Sequence, residues 1–142
     1  QVLSVRQQYP LEKYLLQAQV TPRVLDGRPA WFRVLVCDGA VYPCWWDPYT
    51  HIYMRVTAQE RFHFGLRGLY ELPHRIAGIC HLDLFSTEIA LTADGRFLVV
   101  DYVNDPLDLR LQSKAADGVP DEVVENIAGR LVRLAERNIH RA

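Results

Sequence analysis

The chain has 142 residues, 49% of them hydrophobic, enough to bury one core and too few for two ordinary domains, so a single domain over residues 1–142 is expected. Charged residues make up 23% and nearly cancel to a formal charge of -1, which leaves no global field to draw nucleic acid or an anionic membrane. No apolar run reaches the roughly 18 residues that cross a bilayer, and Gln1 is followed by no basic, apolar and cleavable signal segment, so a soluble cytoplasmic protein is expected. A chain that begins on Gln1 rather than Met is read as a processed product or a piece of a longer protein. Cys37, Cys44 and Cys80 lack CxxC spacing and are expected as reduced, mostly buried thiols.

Leu15 to Val20 reads as a strand, Thr21 to Pro29 as its turn, and Trp31 to Cys37 as the strand that runs back. Asp38-Gly39 between two apolar runs is the strongest hairpin signal, because both central residues of a type I′ turn need positive φ; Ala40 to Trp46 is the return strand. His51 to Val56 suggests a further strand, and Ala58 to Gly68, without periodicity, a surface connection. Helical spacing of Leu72, Ile76 and Ile79, with Leu69 before them, places a helix at about Glu71 to Cys80, with Pro73 tolerable only in its first turn. Leu84 to Leu91 and Phe97 to Val103 form a second hairpin through Asp94-Gly95, followed by a polar stretch, Asn104 to Gly118, long enough to suggest an active-site loop. Pro120, Asp121 and Glu122 open a last helix whose stripe is Val123, Val124, Ile127, Leu131 and Leu134. Two hairpins, each followed by a helix, predict an α+β fold with helices packed on an antiparallel sheet.

Either symmetric register of the second hairpin sets Glu88 directly opposite Asp101 on one face. Opposed like charges destabilise a strand pair unless a cation or a shared proton neutralises them, and Asn104 and Asp105 offer further hard oxygen ligands, so magnesium with nucleotide phosphates fits. The competing reading is a hairpin slipped by one residue, with the acids merely solvated. In the first hairpin Arg33 pairs with Cys44 on a face that otherwise holds Trp31, Leu35, Cys37, Ala40, Tyr42 and Trp46. A guanidinium there requires an anionic partner, either a carboxylate in a structural ion pair or a phosphate. Arg55 and Arg110 are further candidates for the same anion. The five histidines show no HxH or HExxH spacing, which argues against a zinc enzyme, and Trp45-Trp46 lacks the basic interleaving of a nucleic-acid platform.

The run Ser86-Thr87-Glu88-Ile89-Ala90, the Asp-Gly turn, and Val99-Val100-Asp101-Tyr102-Val103-Asn104-Asp105-Pro106 resembles the C-terminal metal-binding hairpin of ATP-grasp ligases, in the peptide-ligase and ribosomal-protein glutamate-ligase branch. Leu16-Gln17-Ala18-Gln19 resembles that family's strand beside adenine, and Phe32-Arg33-Val34-Leu35-Val36 its strand with a phosphate-facing arginine. The chain departs from the family's Glu-x-Asn pattern, since Tyr102 stands two before Asn104 and the acid lies one residue earlier, at Asp101. The resemblance implies ATP and magnesium as cofactors, with Glu88, Asp101 and Asn104 as metal ligands. Gln17, Arg33, Arg55 and Arg110 would stand at the nucleotide, and Arg33 would steady the reacting phosphate. It further implies a small carboxylate or peptide substrate, and an N-terminal lobe without which this lobe is inactive; a homo-oligomer is compatible with it. Two rivals stand beside it: a non-catalytic binding or assembly module of the same fold that presents Trp45 and Trp46, and a standalone enzyme using Glu88 and Asp101 as an acid and base pair.

Overall fold

The computed structural model describes residues 2–14 and 17–139. A short helix α1 (Val2–Gln8) is followed by β1 (Val24–Leu25), β2 (Arg28–Pro29), β3 (Trp31–Cys37), β4 (Ala40–Trp46), β5 (Tyr53–Arg55), α2 (Ala58–His63), α3 (Gly68–Cys80), β6 (Leu84–Leu91), β7 (Phe97–Val103) and α4 (Asp121–Ile139). The fold is α+β: a five-stranded antiparallel sheet in the order β5-β4-β3-β6-β7, with β1 and β2 as a separate ribbon. Among the described residues no helix is long and apolar enough to cross a membrane.

Strand alternation sends successive side chains to opposite faces, and helices cover the two faces to different extents. Phe32, Val34, Trp45 and Ile89 point to one side, where Leu66 and Leu69 from the α2–α3 region complete a dry core. Leu35, Cys37, Cys44 and Trp46 point to the other, where Val119 and α4 residues Val123 and Ile127 pack. Charged contacts fasten α4 to the β3–β4 turn: the Arg130 Nε donates to the Tyr42 hydroxyl at 3.0 Å, and Arg137 reaches the Asp38 carboxylate. The opposite end of that face, around Trp31, Arg33 and Trp46, stays open to cavities.

The Asp38-Gly39 turn forms as its sequence demands, with φ of 48° and 73°, and fixes Arg33 opposite Cys44. Four expectations need correction. The described part of the strand expected over Leu15–Val20, residues 17–20, belongs to no sheet, while Leu15 and Leu16 lie outside the described residues. Asp26-Gly27 turns the small β1–β2 ribbon rather than linking two long strands. The expected surface connection over Ala58–Gly68 holds α2, whose start is a capping box: the Thr57 hydroxyl accepts from the Glu60 amide at 3.1 Å, and the Glu60 carboxylate accepts from the Thr57 amide at 2.8 Å. Helix α3 starts at Gly68, three residues before the expected Glu71, because the Leu69 and Tyr70 amides find the Leu66 and Arg67 carbonyls; Pro73 is thus its sixth residue, buried past the first turn. Of the cysteines, Cys37 and Cys44 are buried and free as expected, and Cys80 is exposed.

Candidate functional site

The pairing of β6 with β7 decides where the acids stand. The Asp94-Gly95 connection closes as Leu91 opposite Phe97, one residue out of step with the symmetric register, with Gly95 alone taking positive φ. A bulge between Glu88 and Ile89 inserts Val100 into the partner strand and restores Glu88 opposite Asp101. The expected juxtaposition is therefore reached, through an irregularity that the symmetric turn model does not contain.

Across the whole sheet this register produces one transverse row, Arg55–Cys44–Arg33–Glu88–Asp101, each residue directly opposite the next and all on the α4 side. At its centre the Arg33 Nη1 donates to the Glu88 Oε1 at 2.9 Å, and the Trp31 indole donates to Oε2 at 3.2 Å. The Arg33 Nε and Nη2 lean on the Ser86 hydroxyl at 3.4 and 3.3 Å, and the guanidinium carbon stands 5.2 Å over the Trp46 ring. Three residues in β3–β6 register, Arg33, Ser86 and Glu88, thus lock one another. The sequence reading paired Arg33 only across β4, so it missed Ser86 and Trp31; both sit two residues from a singled-out charge, on its face.

Past Asp101, which is exposed and has no side-chain partner among the described residues, β7 ends at Val103, and Asn104 just beyond it is also exposed. Asp101 forms the row's outer end and Glu88 lines the cavity, whereas Asn104, three residues past Asp101 and beyond the strand, is not part of the row. Arg55 is drawn off by Glu122 of α4 at 3.0 Å, and Gln17 is exposed and lines neither of the cavities described here. Among the described residues no three His, Cys, Asp or Glu side chains gather as a metal cage.

Beside the row lies a cavity of about 290 Å³, walled by Arg33, Glu88 and Tyr53 and by Asp108, Arg110 and Asp117 from the 104–118 loop. Arg110 holds this loop together by clamping Asp108 and Asp117, both at 2.8 Å, and Gln112 ties it to the Tyr53 carbonyl at 3.0 Å. The Arg110 hydrogen bond holds the Asp108 carboxyl below the usual carboxylate range despite opposing burial, with Arg33 adding to the effect. Burial pushes the Tyr53 phenol up to about 12, so it stays a protonated donor at neutral pH. Trp46 thus meets both the Arg33 guanidinium and a stacked His51, whose ring centroid is 5.1 Å away.

Comparison with protein-family models, with curated proteins and with solved structures found no match to this chain.

Proposed function

We propose that the chain is the C-terminal lobe of an ATP-dependent ligase of the ATP-grasp type, which binds magnesium and ATP phosphates while a carboxylate is activated as an acylphosphate and passed to an amine or thiol. The observation that carries this reading is the Arg33–Glu88–Asp101 row, in which one guanidinium and two opposed carboxylates share a single line on the open sheet face. Glu88 is neutralised by Arg33, whereas Asp101 faces Glu88 with no cationic partner among the described residues, an arrangement that a divalent cation relieves.

The donor set fits magnesium rather than zinc. Magnesium takes one or two carboxylates and completes its octahedron with water and phosphate oxygens, so it needs no all-protein cage. Glu88 and Asp101 would hold it with the Asn104 amide oxygen, and the ion would supply charge neutralisation for the transferring phosphoryl group. Arg33 keeps unused N–H donors and would orient a phosphate or acylphosphate oxygen from the side opposite Asp101. No side-chain nucleophile is required; the chain's own contribution is position and charge.

Binding of manganese–ATP to this chain, followed by water-proton relaxation, tests the reading. A tenfold or greater weakening in Glu88→Gln and in Asp101→Asn is expected, and wild-type affinity in both variants would contradict it.

A further inference from the structure

The cavity beside Arg33 adjoins a second, larger one. Trp46 and Pro48 belong to the walls of both, and beyond them the second space, about 640 Å³, wraps the end of the sheet, from Trp31 on the Arg33 face past Tyr49, Ile52, Gln19 and Val20 to Trp45 and Met54 on the opposite face. Its lining is mainly apolar, with Tyr49, Ile52 and Met54 substantially exposed. Gln19 and Val20 belong to no helix or strand.

At the junction of the two spaces the uncommitted polar groups are donors. The Trp46 indole N–H is buried without a hydrogen-bond partner among the described residues, in a residue only 8% exposed. Arg33 uses three of its five N–H groups, and the Tyr53 phenol keeps its proton. The acids of the smaller cavity are already engaged: Glu88 by Arg33 and Trp31, Asp108 and Asp117 by Arg110. A buried unpartnered donor costs free energy that an acceptor on a ligand recovers.

We infer that these two spaces form one groove for an apolar peptide whose C-terminal carboxylate enters between Arg33, Tyr53 and Trp46, with its side chains along Trp31, Ile52 and Met54. This rests on the ligase reading, in which that carboxylate is the group activated, and it narrows the substrate to a peptide acid with apolar terminal residues. Charge sets a condition on binding. Glu88, Asp108 and Asp117 outnumber Arg33 and Arg110 by one, and with Asp101 at the rim the excess is two, so the bare cavity repels an anion and a divalent ion on Glu88 and Asp101 cancels that repulsion. The peptide acid therefore binds together with the metal.

The test is a titration of the chain with acetyl-Ala-Leu-Phe as the free acid, as its C-terminal amide, and with acetyl-Ala-Ser-Ser acid, each with and without magnesium, followed by backbone amide shifts. The expected result is that the apolar acid shifts amides at 19–20 and 45–54 and binds at least tenfold tighter with magnesium. The amide and the polar acid should bind at least tenfold more weakly under the same conditions. Ile52→Ser, a change at an exposed position, should weaken the apolar acid, and Trp46→Phe should narrow the gap between acid and amide. Equal binding of acid and amide, or shifts outside the groove, overturns the inference, and so does tight binding of the polar acid, which would mark a general anion site. Manganese broadening at Glu88 without any peptide-induced shift would overturn the groove alone, whereas absence of manganese binding would overturn the ligase reading itself.

Discussion

Phe32 and Arg33 are neighbours in sequence and stand on opposite faces of the same strand, and the two faces they open onto divide the labour of this fold. On the Phe32 side, Val34, Trp45, Ile89, Leu66 and Leu69 exclude water and supply stability. On the Arg33 side, α4 runs from Arg55, held by Glu122, to the Asp38 turn and leaves open the part around Arg33, which keeps a guanidinium, two opposed acids and the smaller cavity, while the larger one wraps the end of the sheet to Trp45 and Met54. A sheet spends its sealed face on stability and can then tolerate opposed charges on the other. The contrast should break differently under mutation on each side.

The largest effect is expected on the sealed face. Phe32→Ala removes a fully buried ring packed 4.7 Å from Trp45, which should cost about 3–5 kcal/mol in urea unfolding and act on the whole fold. Next comes the rim of the same face, where Glu60 bonds Arg28 and the Thr57 amide. Burial opposes ionisation there, yet the hydrogen bonds from Thr57 and Arg28 hold its carboxyl at about 2, against an ordinary 4.5. Because the folded value lies below the unfolded one, the contribution is whole above about pH 4.5 and is lost as pH falls toward 2; it amounts to roughly 2–3 kcal/mol. Glu60→Gln should flatten the stability-versus-pH curve through that window.

On the open face Arg33→Met leaves Glu88 with Trp31 alone and should cost roughly 1–2 kcal/mol, since both side chains keep 19% exposure and water screens the charge left behind. The double change Arg33→Met with Glu88→Leu should recover most of that loss while abolishing manganese–ATP binding, a split that no sealed-face variant would show. Smallest of all, Arg110→Ala should leave the unfolding midpoint nearly unchanged and speed hydrogen exchange at Leu111 and Gln112, because Arg110 organises the exposed 104–118 loop rather than the core.

How far the sequence reaches follows the same division. Strands β3, β4, β6 and β7 were legible because period-two alternation and Asp-Gly turns are local signals, and α4 because five apolar residues share one stripe. Helix α2 was missed although its Thr57-Ala58-Gln59-Glu60 capping box is written in the sequence, since no apolar periodicity accompanies it and none of its residues is buried. The bulge at Val100 was not legible; it compensates a one-residue offset that arises in the turn, and only the closed ladder fixes both. Of the site, the Glu88–Asp101 juxtaposition could be read from the hairpin, whereas the Arg33–Glu88 partnership depends on β3 lying beside β6, a non-local pairing. Asp108, Asp117 and Tyr53 join the cavity through the path of a loop, which no periodicity encodes.

The central claim is that Glu88 and Asp101 together hold a divalent cation beside Arg33. Titration of the chain with manganese, following which backbone amides broaden first, tests it most directly. The account predicts early, selective broadening at Glu88, Asp101 and Asn104 that Asp101→Asn suppresses; broadening spread over the surface acids, or centred on Asp108 and Asp117, would contradict it.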